Sequence, residues 1–427
     1  MELRVSSSQL SGRAAMPASK SHTIRALVIG GLANGQSRLI KPLRSADTTS
    51  AIEAMRLLGA RIVEQDDDLI VAGVAGHPQA PAEPIDVGNS GTTLYITCLT
   101  AALADGTTVL TGDEQIQARP VAPLLQAIND LGGTARSQRN NGCAPVQISG
   151  PLRGGCTSIE CPTSQYLTAL LINCPLAQGD TRLEVPLLHE RPYVYMTLDW
   201  LDRQGVKYQA EGLGAFEIPG GQRYGPFSRQ IPADFSSATF FLCAAAVTGS
   251  EVTLTGLDMA DPQGDKAVID MLRRMGTEIE VEGLEMTVRG GNLRGCELDL
   301  NATPDALPAM AVTACFAEGE TLLGNVPQAR LKETDRLAVM AAELAKMGAD
   351  VEALPDGLIV RGSQMHAAAV EGHSDHRVVM ALALAGMAVE GETIVSTAEA
   401  VAVTFPNFVG LMQELGASIE TGGSMQT

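Results

Sequence analysis

The sequence predicts an α/β protein of two similar domains, because one helix–turn–strand unit recurs six times along the chain. In each copy apolar residues recur with the spacing of one helix face, a glycine follows, and an alternating apolar stretch comes next. The glycine can end the helix in the left-handed backbone region, so each unit is a helix that leads into a strand. The turn glycines stand 68 to 73 residues apart, at Gly59, Gly132, Gly205, Gly276, Gly348 and Gly416.

A period of this length is too long for the common solenoids, so we expect globular domains that each contain several units. Three copies precede residue 230 and three follow it, and Pro232 stands beside a helix cap in IPADFSSATFF, as at a crossover. The expected domains are 18–232 and 1–17 plus 233–427, with the active site in the cleft between them. The opening strand, ELRVSS, could pair with either half.

The composition limits the classes of partner. The chain has 427 residues, of which 45% are hydrophobic and only 4% aromatic, so small aliphatic side chains must fill the cores. The formal net charge of −19 argues against binding to nucleic acids or acidic membranes, which need a basic face. An anionic small molecule needs only a local cluster of cations and remains compatible with this charge.

Cysteine usage and the N-terminus predict the compartment. The eight cysteines form no CxxC pair and show no metal-ligand spacing, which is typical of reduced thiols in the cytoplasm. The opening MELRVSSSQLSG has no apolar signal core, and no apolar run reaches the roughly 18 residues that cross a bilayer. We expect a soluble cytoplasmic protein without a metal or cofactor, and a monomer.

The first candidate site is MPASKSHTIRAL, where a helix begins after Pro17. A helix N-terminus offers free N–H groups and the positive end of the helix dipole. With Lys20, Ser21 and Arg25 in its first turns, this helix could bind a phosphate or carboxylate. The alternative is an ordinary capped helix with solvated charges.

Two further helix starts in the first half carry similar features. In VGNSGTTLYIT a tight turn around Gly91 exposes backbone N–H groups, and Arg119 stands just before Pro120 in GDEQIQARP. Each motif alone is common at protein surfaces.

PTSQYLTALL opens another apolar helix with Thr163, Ser164 and Gln165, whose neutral polar groups suit hydroxyls or phosphate oxygens. The alternative is a polar cap on a buried helix.

The second half contains the most charged motif, ARLKETDRLAVM. If this stretch is helical, Lys332 and Arg336 lie on one face, with Glu333 between them in sequence. The alternative is a solvated ion pair between Arg336 and Glu333.

Two other charged motifs stand at the starts of apolar helices, where charges need partners or ligands. TPDALPAM contains Asp305, and GHSDHRVVMALALAG contains Asp375, His376 and Arg377. Arg377 could instead pair with Asp375 in a simple ion pair.

The cations of these motifs stand at helix starts or turns of successive repeats in an otherwise acidic chain. This pattern predicts a cleft that binds two anionic groups or two anionic substrates. Asp305 and Glu333 are acid/base candidates, because nearby cations keep carboxylates ionised.

Taken in order, PASKSHTIRAL, GNSGTTL, TSQYLTALL, DFSSATFFLCAAA, RLKETDRL, SDHRVVMALAL and TFPNF resemble the 5-enolpyruvylshikimate-3-phosphate synthase family over nearly the whole chain. The resemblance implies two inside-out α/β domains, each of three βαβαββ repeats, the enolpyruvyl transferase fold. It also implies transfer of the enolpyruvyl group of phosphoenolpyruvate to the 5-hydroxyl of shikimate 3-phosphate, with release of phosphate and without a cofactor or metal.

The resemblance also implies roles for individual residues. Asp305, Glu333 and Lys20 would be catalytic: Asp305 would accept the proton of the hydroxyl, helped by Lys332, and the other two would move protons at the phosphoenolpyruvate methylene. Shikimate 3-phosphate would be bound by Lys20, Ser21, Arg25, Thr163, Ser164, Gln165, Asp305 and Lys332. Phosphoenolpyruvate would be bound by Lys20, Gly91, Arg119, Gln165, Glu333, Arg336 and Arg377.

Four positions depart from the commonest family pattern: Ala18 before SKS, Tyr95 after GNSGTT, Glu190 before RPYV and Val403 before TFP. These departures leave fewer cations for phosphoenolpyruvate than in the most basic members, which concerns substrate affinity more than the type of reaction. Gln328 is a weaker candidate for binding shikimate 3-phosphate.

Three other functions compete with this hypothesis. A related transferase acting on a UDP-sugar typically carries a reactive cysteine near GDEQIQARP, but no cysteine lies between Cys98 and Cys143. A non-catalytic anion-binding protein would explain Tyr95, Glu190 and Val403, although the acid/base candidates are retained. A repeat scaffold would release no phosphate from phosphoenolpyruvate.

Overall fold

The computed structural model describes residues 1–422, and the chain divides into two compact units. The N-terminal unit comprises residues 18–231. The C-terminal unit comprises residues 1–17 and the chain from Pro232 onward. Its first seventeen residues contain two strands, β1 (Glu2–Ser6) and β2 (Ser11–Ala15).

The N-terminal unit contains six helices and twelve strands among its residues, all of which the structure describes. The helices are α1 (Lys20–Leu32), α2 (Ala46–Leu57), α3 (Gly91–Ala101), α4 (Ala122–Asp130), α5 (Ser164–Asn173) and α6 (Arg191–Arg203). The strands are β3 (Gln36–Ile40), β4 (Arg61–Gln65), β5 (Asp68–Ala72), β6 (Ile85–Asp86), β7 (Thr107–Thr111), β8 (Thr134–Ser137), β9 (Val146–Ser149), β10 (Gly155–Ser158), β11 (Thr181–Glu184), β12 (Gln209–Glu211), β13 (Ala215–Ile218) and β14 (Ser228–Gln230).

The C-terminal unit continues after β1 and β2 with the same alternation. Its helices are α7 (Phe235–Thr248), α8 (Ala267–Arg274), α9 (Leu307–Cys315), α10 (Arg336–Lys346), α11 (His376–Met387) and α12 (Phe408–Glu414). Its further strands are β15 (Glu251–Thr255), β16 (Glu278–Glu282), β17 (Glu285–Arg289), β18 (Glu297–Asp299), β19 (Glu320–Gly324), β20 (Asp350–Leu354), β21 (Gly357–Arg361), β22 (Ala369–Glu371), β23 (Glu392–Ser396) and β24 (Ser418–Gly422).

Within residues 1–422, each unit contains three sheets of four strands with one shared pattern. One edge strand is parallel to its neighbour and the other pairings are antiparallel, as in β6-β7-β9-β8 and β18-β19-β21-β20. The remaining sheets are β14-β3-β5-β4, β10-β11-β13-β12, β16-β17-β15-β2 and β22-β23-β1-β24. This sixfold repetition confirms the predicted fold class.

The N-terminal strands complete two sheets of the C-terminal unit. β2 pairs parallel with β15, and β1 lies between β23 and β24, antiparallel to both. The pattern of the strand alone allowed either half, although the expected domain bounds placed residues 1–17 with the second half. The pairing explains why a segment without its own helix precedes the first repeat.

The first helix of each repeat is buried, which places the sheets around the helices. Every residue of α9 and α11 is buried, and no more than three residues of α1, α3, α5 or α7 are not. Helices that are apolar on all sides need such an environment. The second helices, such as α4 and α10, bury one face only. Two separate apolar clusters, one per unit, form the cores.

The six turn glycines confirm the sequence interpretation of the repeat. Their φ angles range from 70° to 103°, in the left-handed region that disfavours side chains. At Gly276 an added Cβ would also meet the Asn292 carbonyl oxygen at 2.7 Å. In the described part of the chain, no helix combines the length and the apolar character needed to span a bilayer. All eight cysteines are free thiols.

Candidate active site

The start of α1 brings a lysine to a buried carboxylate. Ser19 caps the helix and accepts a hydrogen bond from the His22 N–H, so Lys20 is the first helical residue. Its Nζ lies 3.0 Å from Oδ2 of Asp47, which is buried in the first turn of α2. The sequence predicted Lys20 but not Asp47. The local signal for Asp47 is an acidic residue two positions after a serine cap, which is too common to identify a site.

Arg25 lies in the interior of α1 and is 2% exposed. Its guanidinium donates only to neutral oxygens: Oγ1 of Thr197, Oγ1 of Thr168, and the carbonyls of Ser21 and Tyr193. Burial lowers the pKa of Arg25 to about 10. No carboxylate within residues 1–422 forms an ion pair with it, so an incoming anion would compensate its charge.

Gly91, Arg119 and Gln165 come together, although they lie far apart in sequence. Gly91 is the first residue of α3, after the Ser90 cap. A Cβ added to Gly91 would overlap Nη1 of Arg119 and would lie 3.7 Å from Oε1 of Gln165. Arg119 is itself buried, just after a short 3₁₀ turn. The missing side chain at residue 91 therefore leaves room for the guanidinium.

Tyr95 has a structural role where the family commonly has arginine. It is 4% exposed and packs edge-on against Tyr166, with ring centroids 5.0 Å apart. The Tyr166 hydroxyl donates to the carbonyl of Pro120 at 2.6 Å, and Pro120 follows Arg119. The pair of tyrosines thus supports the segment that carries Arg119.

The start of α5 is occupied by a carboxylate from the same unit. Oε2 of Glu190 accepts from the Ser164 N–H at 3.0 Å, from the Ser164 hydroxyl at 2.8 Å and from the Thr163 hydroxyl at 3.2 Å. Glu190 is 2% exposed. Glu190 is one of the departures from the family pattern that were expected to affect the affinity for phosphoenolpyruvate. In the structure Glu190 contacts Thr163 and Ser164, which the resemblance assigns to shikimate 3-phosphate.

In the C-terminal unit Arg336 is the centre of a buried ion network. Its Nε donates to Oδ2 of Asp375 at 2.8 Å, its Nη1 to Oδ1 of Asp305 at 2.9 Å, and its Nη2 to Oε2 of Glu333 at 2.6 Å. The guanidinium is 1% exposed, so these contacts are not surface ion pairs. The expected pairing of Arg336 with Glu333 is therefore present, but two more carboxylates share the same cation.

Asp305 lies between two arginines. Its Oδ2 is 3.1 Å from Nη2 of Arg377, and its Oδ1 accepts from Arg336. The sequence allowed a side-chain ion pair of Arg377 with Asp375, and the structure shows one with Asp305. The Arg377 backbone N–H donates to Asp375, which caps α11.

Lys332 and Arg336 do not share a helix face, contrary to the expectation from their spacing. Lys332 has an extended backbone at the end of a 3₁₀ turn, and α10 begins only at Arg336. The reason is Asp335, which caps α10 by accepting from the Ala338 N–H at 3.1 Å. Lys332 still acts on Asp305 electrostatically.

These contacts fix the ionisation of the network. Burial by itself would raise the pKa of Asp305, but the positive charges of Arg377, Lys332 and Arg336 bring this pKa below its usual range. Burial would likewise raise the pKa of Asp375, but the positive charge of Arg336 brings this pKa below its usual value. The three carboxylates raise the pKa of Arg336 against the effect of burial. Asp305, Asp375 and Arg336 are therefore ionised at neutral pH.

The predicted residues thus form sets within each unit. One set in the N-terminal unit joins Gly91, Arg119 and Gln165, and another joins Thr163, Ser164 and Glu190. The C-terminal set joins Asp305, Lys332, Glu333, Arg336 and Arg377. Asp375, which pairs with Arg336, and Asp47, which pairs with Lys20, were absent from the predicted sites.

Comparison with known proteins agrees with these features. The family model of EPSP synthase (3-phosphoshikimate 1-carboxyvinyltransferase) matches residues 5–412. A 3-phosphoshikimate 1-carboxyvinyltransferase of Acetivibrio thermocellus is 55% identical over 99% of this chain and 100% of its own length. One from Ruminiclostridium cellulolyticum is 53% identical over 98% of this chain and 100% of its own length.

A solved structure gives the same result for the fold. EPSP synthase from Acinetobacter baumannii superposes with a TM-score of 0.82 and 27% sequence identity, covering 99% of this chain and 100% of that one. The family match and the sequence identities over full length confirm the resemblance seen in the motifs. The chain belongs to the EPSP synthase family.

Proposed function

We propose that the sets of residues described above act on one pair of substrates and together carry out the reaction of the family. The reaction transfers the enolpyruvyl group of phosphoenolpyruvate to the 5-hydroxyl of shikimate 3-phosphate and releases phosphate. The observation that carries the proposal is Asp305, an ionised carboxylate held by Arg336 at 2.9 Å and Arg377 at 3.1 Å. It combines a proton acceptor with two cations suited to an anionic substrate.

Shikimate 3-phosphate is assigned to residues of both units. In the N-terminal unit Arg25 supports the assignment, because it is a buried cation that contacts only neutral oxygens. The hydroxyls of Thr163 and Ser164 already donate to a carboxylate oxygen, which supports the assignment of an acidic group of the substrate to this helix start. The full set is Lys20, Ser21, Arg25, Thr163, Ser164, Gln165, Asp305 and Lys332.

Phosphoenolpyruvate is assigned to the remaining cations. Arg119 lies against the backbone of Gly91, where the guanidinium and the N–H groups at the start of α3 can face one anion. In the other unit Arg377 and Arg336 already bind Asp305, so phosphoenolpyruvate must share them. The full set is Lys20, Gly91, Arg119, Gln165, Glu333, Arg336 and Arg377.

Binding of phosphoenolpyruvate to those arginines would also make Asp305 a stronger proton acceptor. In the free protein Arg377, Lys332 and Arg336 depress the pKa of Asp305, which makes it a weak proton acceptor. The negative charge of bound phosphoenolpyruvate would offset these cations and raise that pKa. Asp305 would then accept the proton of the 5-hydroxyl as its oxygen attacks, with Lys332 assisting.

The carbon chemistry requires a second proton. Protonation of C3 of phosphoenolpyruvate by Glu333 or Lys20 gives C2 oxocarbenium character, and the hydroxyl oxygen adds to C2. The intermediate then loses a proton from C3 while its C2–O bond to phosphate breaks. Enolpyruvyl ether and phosphate result, so the proton taken up at C3 is returned. The cations lower the cost of gathering two anions and stabilise the departing phosphate.

The experiment that tests this function is phosphate release from phosphoenolpyruvate in the presence of either acceptor. Release with shikimate 3-phosphate, and none with a UDP-sugar, is expected. Release that depends on a UDP-sugar would assign the chain to the related transferase. Release with neither acceptor would favour an anion-binding protein or a scaffold.

We further propose that the enzyme acts as a cytoplasmic monomer. The three catalytic candidates, Asp305, Glu333 and Lys20, and all the assigned binding residues belong to one chain, so the site as assigned needs no second copy. The eight free thiols are typical of a reducing compartment. Sedimentation equilibrium should give the mass of one chain with and without shikimate 3-phosphate; a concentration-dependent dimer would contradict the monomer.

A further inference from the structure

We propose that Glu190 is an internal competitor for the phosphate group of shikimate 3-phosphate and thereby sets the affinity of this chain for that substrate. The proposal rests on the binding roles assigned above to Thr163 and Ser164. It concerns Glu190 itself, which neither the motifs nor the assigned reaction give a role.

Glu190 occupies hydrogen-bond donors that would suit a phosphate. One oxygen, Oε2, accepts from the Ser164 N–H, the Ser164 hydroxyl and the Thr163 hydroxyl, at 2.8 to 3.2 Å. A backbone N–H and two hydroxyls at a helix start are the donors that a phosphate oxygen would use. The carboxylate therefore stands where the phosphate is expected, with the same sign of charge.

Glu190 also has an unfavourable backbone conformation. Its φ of 57° and ψ of 40° lie in the left-handed region, which is unfavourable for a residue with a side chain. Glu190 directly precedes α6, yet its side chain makes no capping bond to that helix. The side chain instead spans to the start of α5. Its bonds to Thr163 and Ser164 thus hold a strained residue in place.

The Glu190 carboxylate and a bound phosphate would also repel each other. A phosphate and a carboxylate cannot share the same three donors, because each is an acceptor only when ionised and the two repel each other. Glu190 must therefore leave Thr163 and Ser164 before phosphate binds there. The bonds it gives up weaken the apparent affinity, since hydrogen bonds to charged groups contribute about ten- to hundredfold each.

Two substitutions test the competition. Glu190→Gln keeps the shape and removes the charge, and Glu190→Ser removes the competing group while leaving a short donor. Glu211→Gln is the matched control, because Glu211 is an exposed residue of β12 in the same unit. The thermal unfolding midpoint of each variant identifies any variant that does not fold. Because the two substitutions at Glu190 pack differently, one can still test the proposal if the other does not fold.

The readouts separate the phosphate from the rest of the substrate. Both Glu190 variants should lower the KM for shikimate 3-phosphate by about tenfold or more. They should lower the inhibition constant of inorganic phosphate, competing with shikimate 3-phosphate, in the same direction. The KM for phosphoenolpyruvate and the inhibition constant of shikimate, which lacks the phosphate, should not change. Glu211→Gln should alter none of these values.

A further variant distinguishes failure of the proposal from failure of the assigned site. In the Glu190→Ser background, Ser164→Ala should raise the KM for shikimate 3-phosphate. If it does so while the Glu190 variants bind shikimate 3-phosphate no better than the wild type, Glu190 is not a competitor and the assigned site stands. If Ser164→Ala has no effect, the phosphate binds elsewhere and both the assignment and the proposal fall.

Discussion

Arg336 and Asp375 form a two-point ion pair that connects the starts of two helices in the C-terminal unit. Nε donates to Oδ2 at 2.8 Å and Nη2 donates to Oδ1 at 3.1 Å, and the two side chains are 1% and 0% exposed. Asp375 also caps α11, while Arg336 is the first residue of α10. The pair therefore fixes the loop that carries Lys332 and Glu333, in addition to any contact with substrate.

Arg336→Met should destabilise the protein strongly, because it leaves Asp375 buried without its cation and removes the shared partner of Asp305 and Glu333. Breaking a buried ion pair costs about 3–5 kcal/mol. Urea unfolding at neutral pH, followed by circular dichroism, measures this loss. Activity should fall as well, since the loop containing Lys332 loses its support.

Arg361→Met is the matched control, since Arg361 also contacts three carboxylates in the same unit: Glu320, Asp350 and Glu352. These side chains are largely exposed, and exposed ion pairs contribute little. Its unfolding curve should stay close to that of the wild type. Equal losses in the two variants would show that burial does not distinguish the two networks.

The ion network should also make stability depend on acid. The pKa of Asp375 in the folded protein is below its ordinary value of 3.8, which the unfolded chain keeps. The unfolded chain therefore binds more protons as the pH falls, and the stabilisation is complete above about pH 5 and lost progressively below about pH 4. Urea unfolding between pH 7 and pH 3 should show this decline in the wild type.

Asp375→Asn tests the origin of that decline. The variant is less stable at pH 7, because Arg336 loses one charged partner, but it has one fewer carboxylate to protonate. Its stability should therefore fall less steeply on acidification, so that the two curves converge. Parallel curves would mean that other carboxylates, such as Glu343 with its lowered pKa, cause the acid sensitivity.

The repeat itself could be predicted because its signals are local. The apolar spacing of a helix and a following glycine, as at Gly59 or Gly348, lie within a dozen residues and depend on backbone preferences alone. The partner of the opening strand could not be predicted in this way. β1 pairs with β23 and β24, whose residues follow it by 386 to 420 positions, and its alternating apolar pattern does not distinguish one sheet from another.

The same distinction applies to the site. Lys20, Ser164 and Arg336 stand in recognisable motifs, but Asp47, Glu190 and Asp375, which contact them, lie 27, 26 and 39 residues away. The spacing predicted Glu333, three residues before Arg336, but not these more distant partners. Sequence spacing cannot tell which carboxylate reaches which cation. Asp375 lies two positions before Arg377 in the sequence, yet its carboxylate pairs with Arg336, while the Arg377 side chain pairs with Asp305.

Gly91→Ala should weaken phosphoenolpyruvate binding selectively. The new methyl group would overlap Nη1 of Arg119, and this buried guanidinium would have to move. Losing a charged hydrogen bond to the substrate raises the KM for phosphoenolpyruvate about ten- to hundredfold. The KM for shikimate 3-phosphate should change much less. Steady-state kinetics with each substrate varied in turn measures both values.

Gly410→Ala is the control for Gly91→Ala, because Gly410 is a helical glycine in α12 with no atom within 4 Å of an added Cβ. It should leave both KM values unchanged. If Gly91→Ala leaves the KM for phosphoenolpyruvate unchanged, Arg119 does not contribute to the binding of this substrate.

Asp305→Asn should lower kcat without a comparable loss of stability. An amide in place of the carboxylate can still accept a hydrogen bond from Arg336, which keeps Asp375 and Glu333 as charged partners. It cannot take up the hydroxyl proton, and losing a general base costs about 10²- to 10⁴-fold in rate. Phosphate release gives kcat, and urea unfolding gives the stability of the same preparation. A loss of stability as large as that of Arg336→Met, with kcat retained in the folded fraction, would make Asp305 a structural partner of the arginines. A loss of kcat with near-normal unfolding would identify it as the proton acceptor.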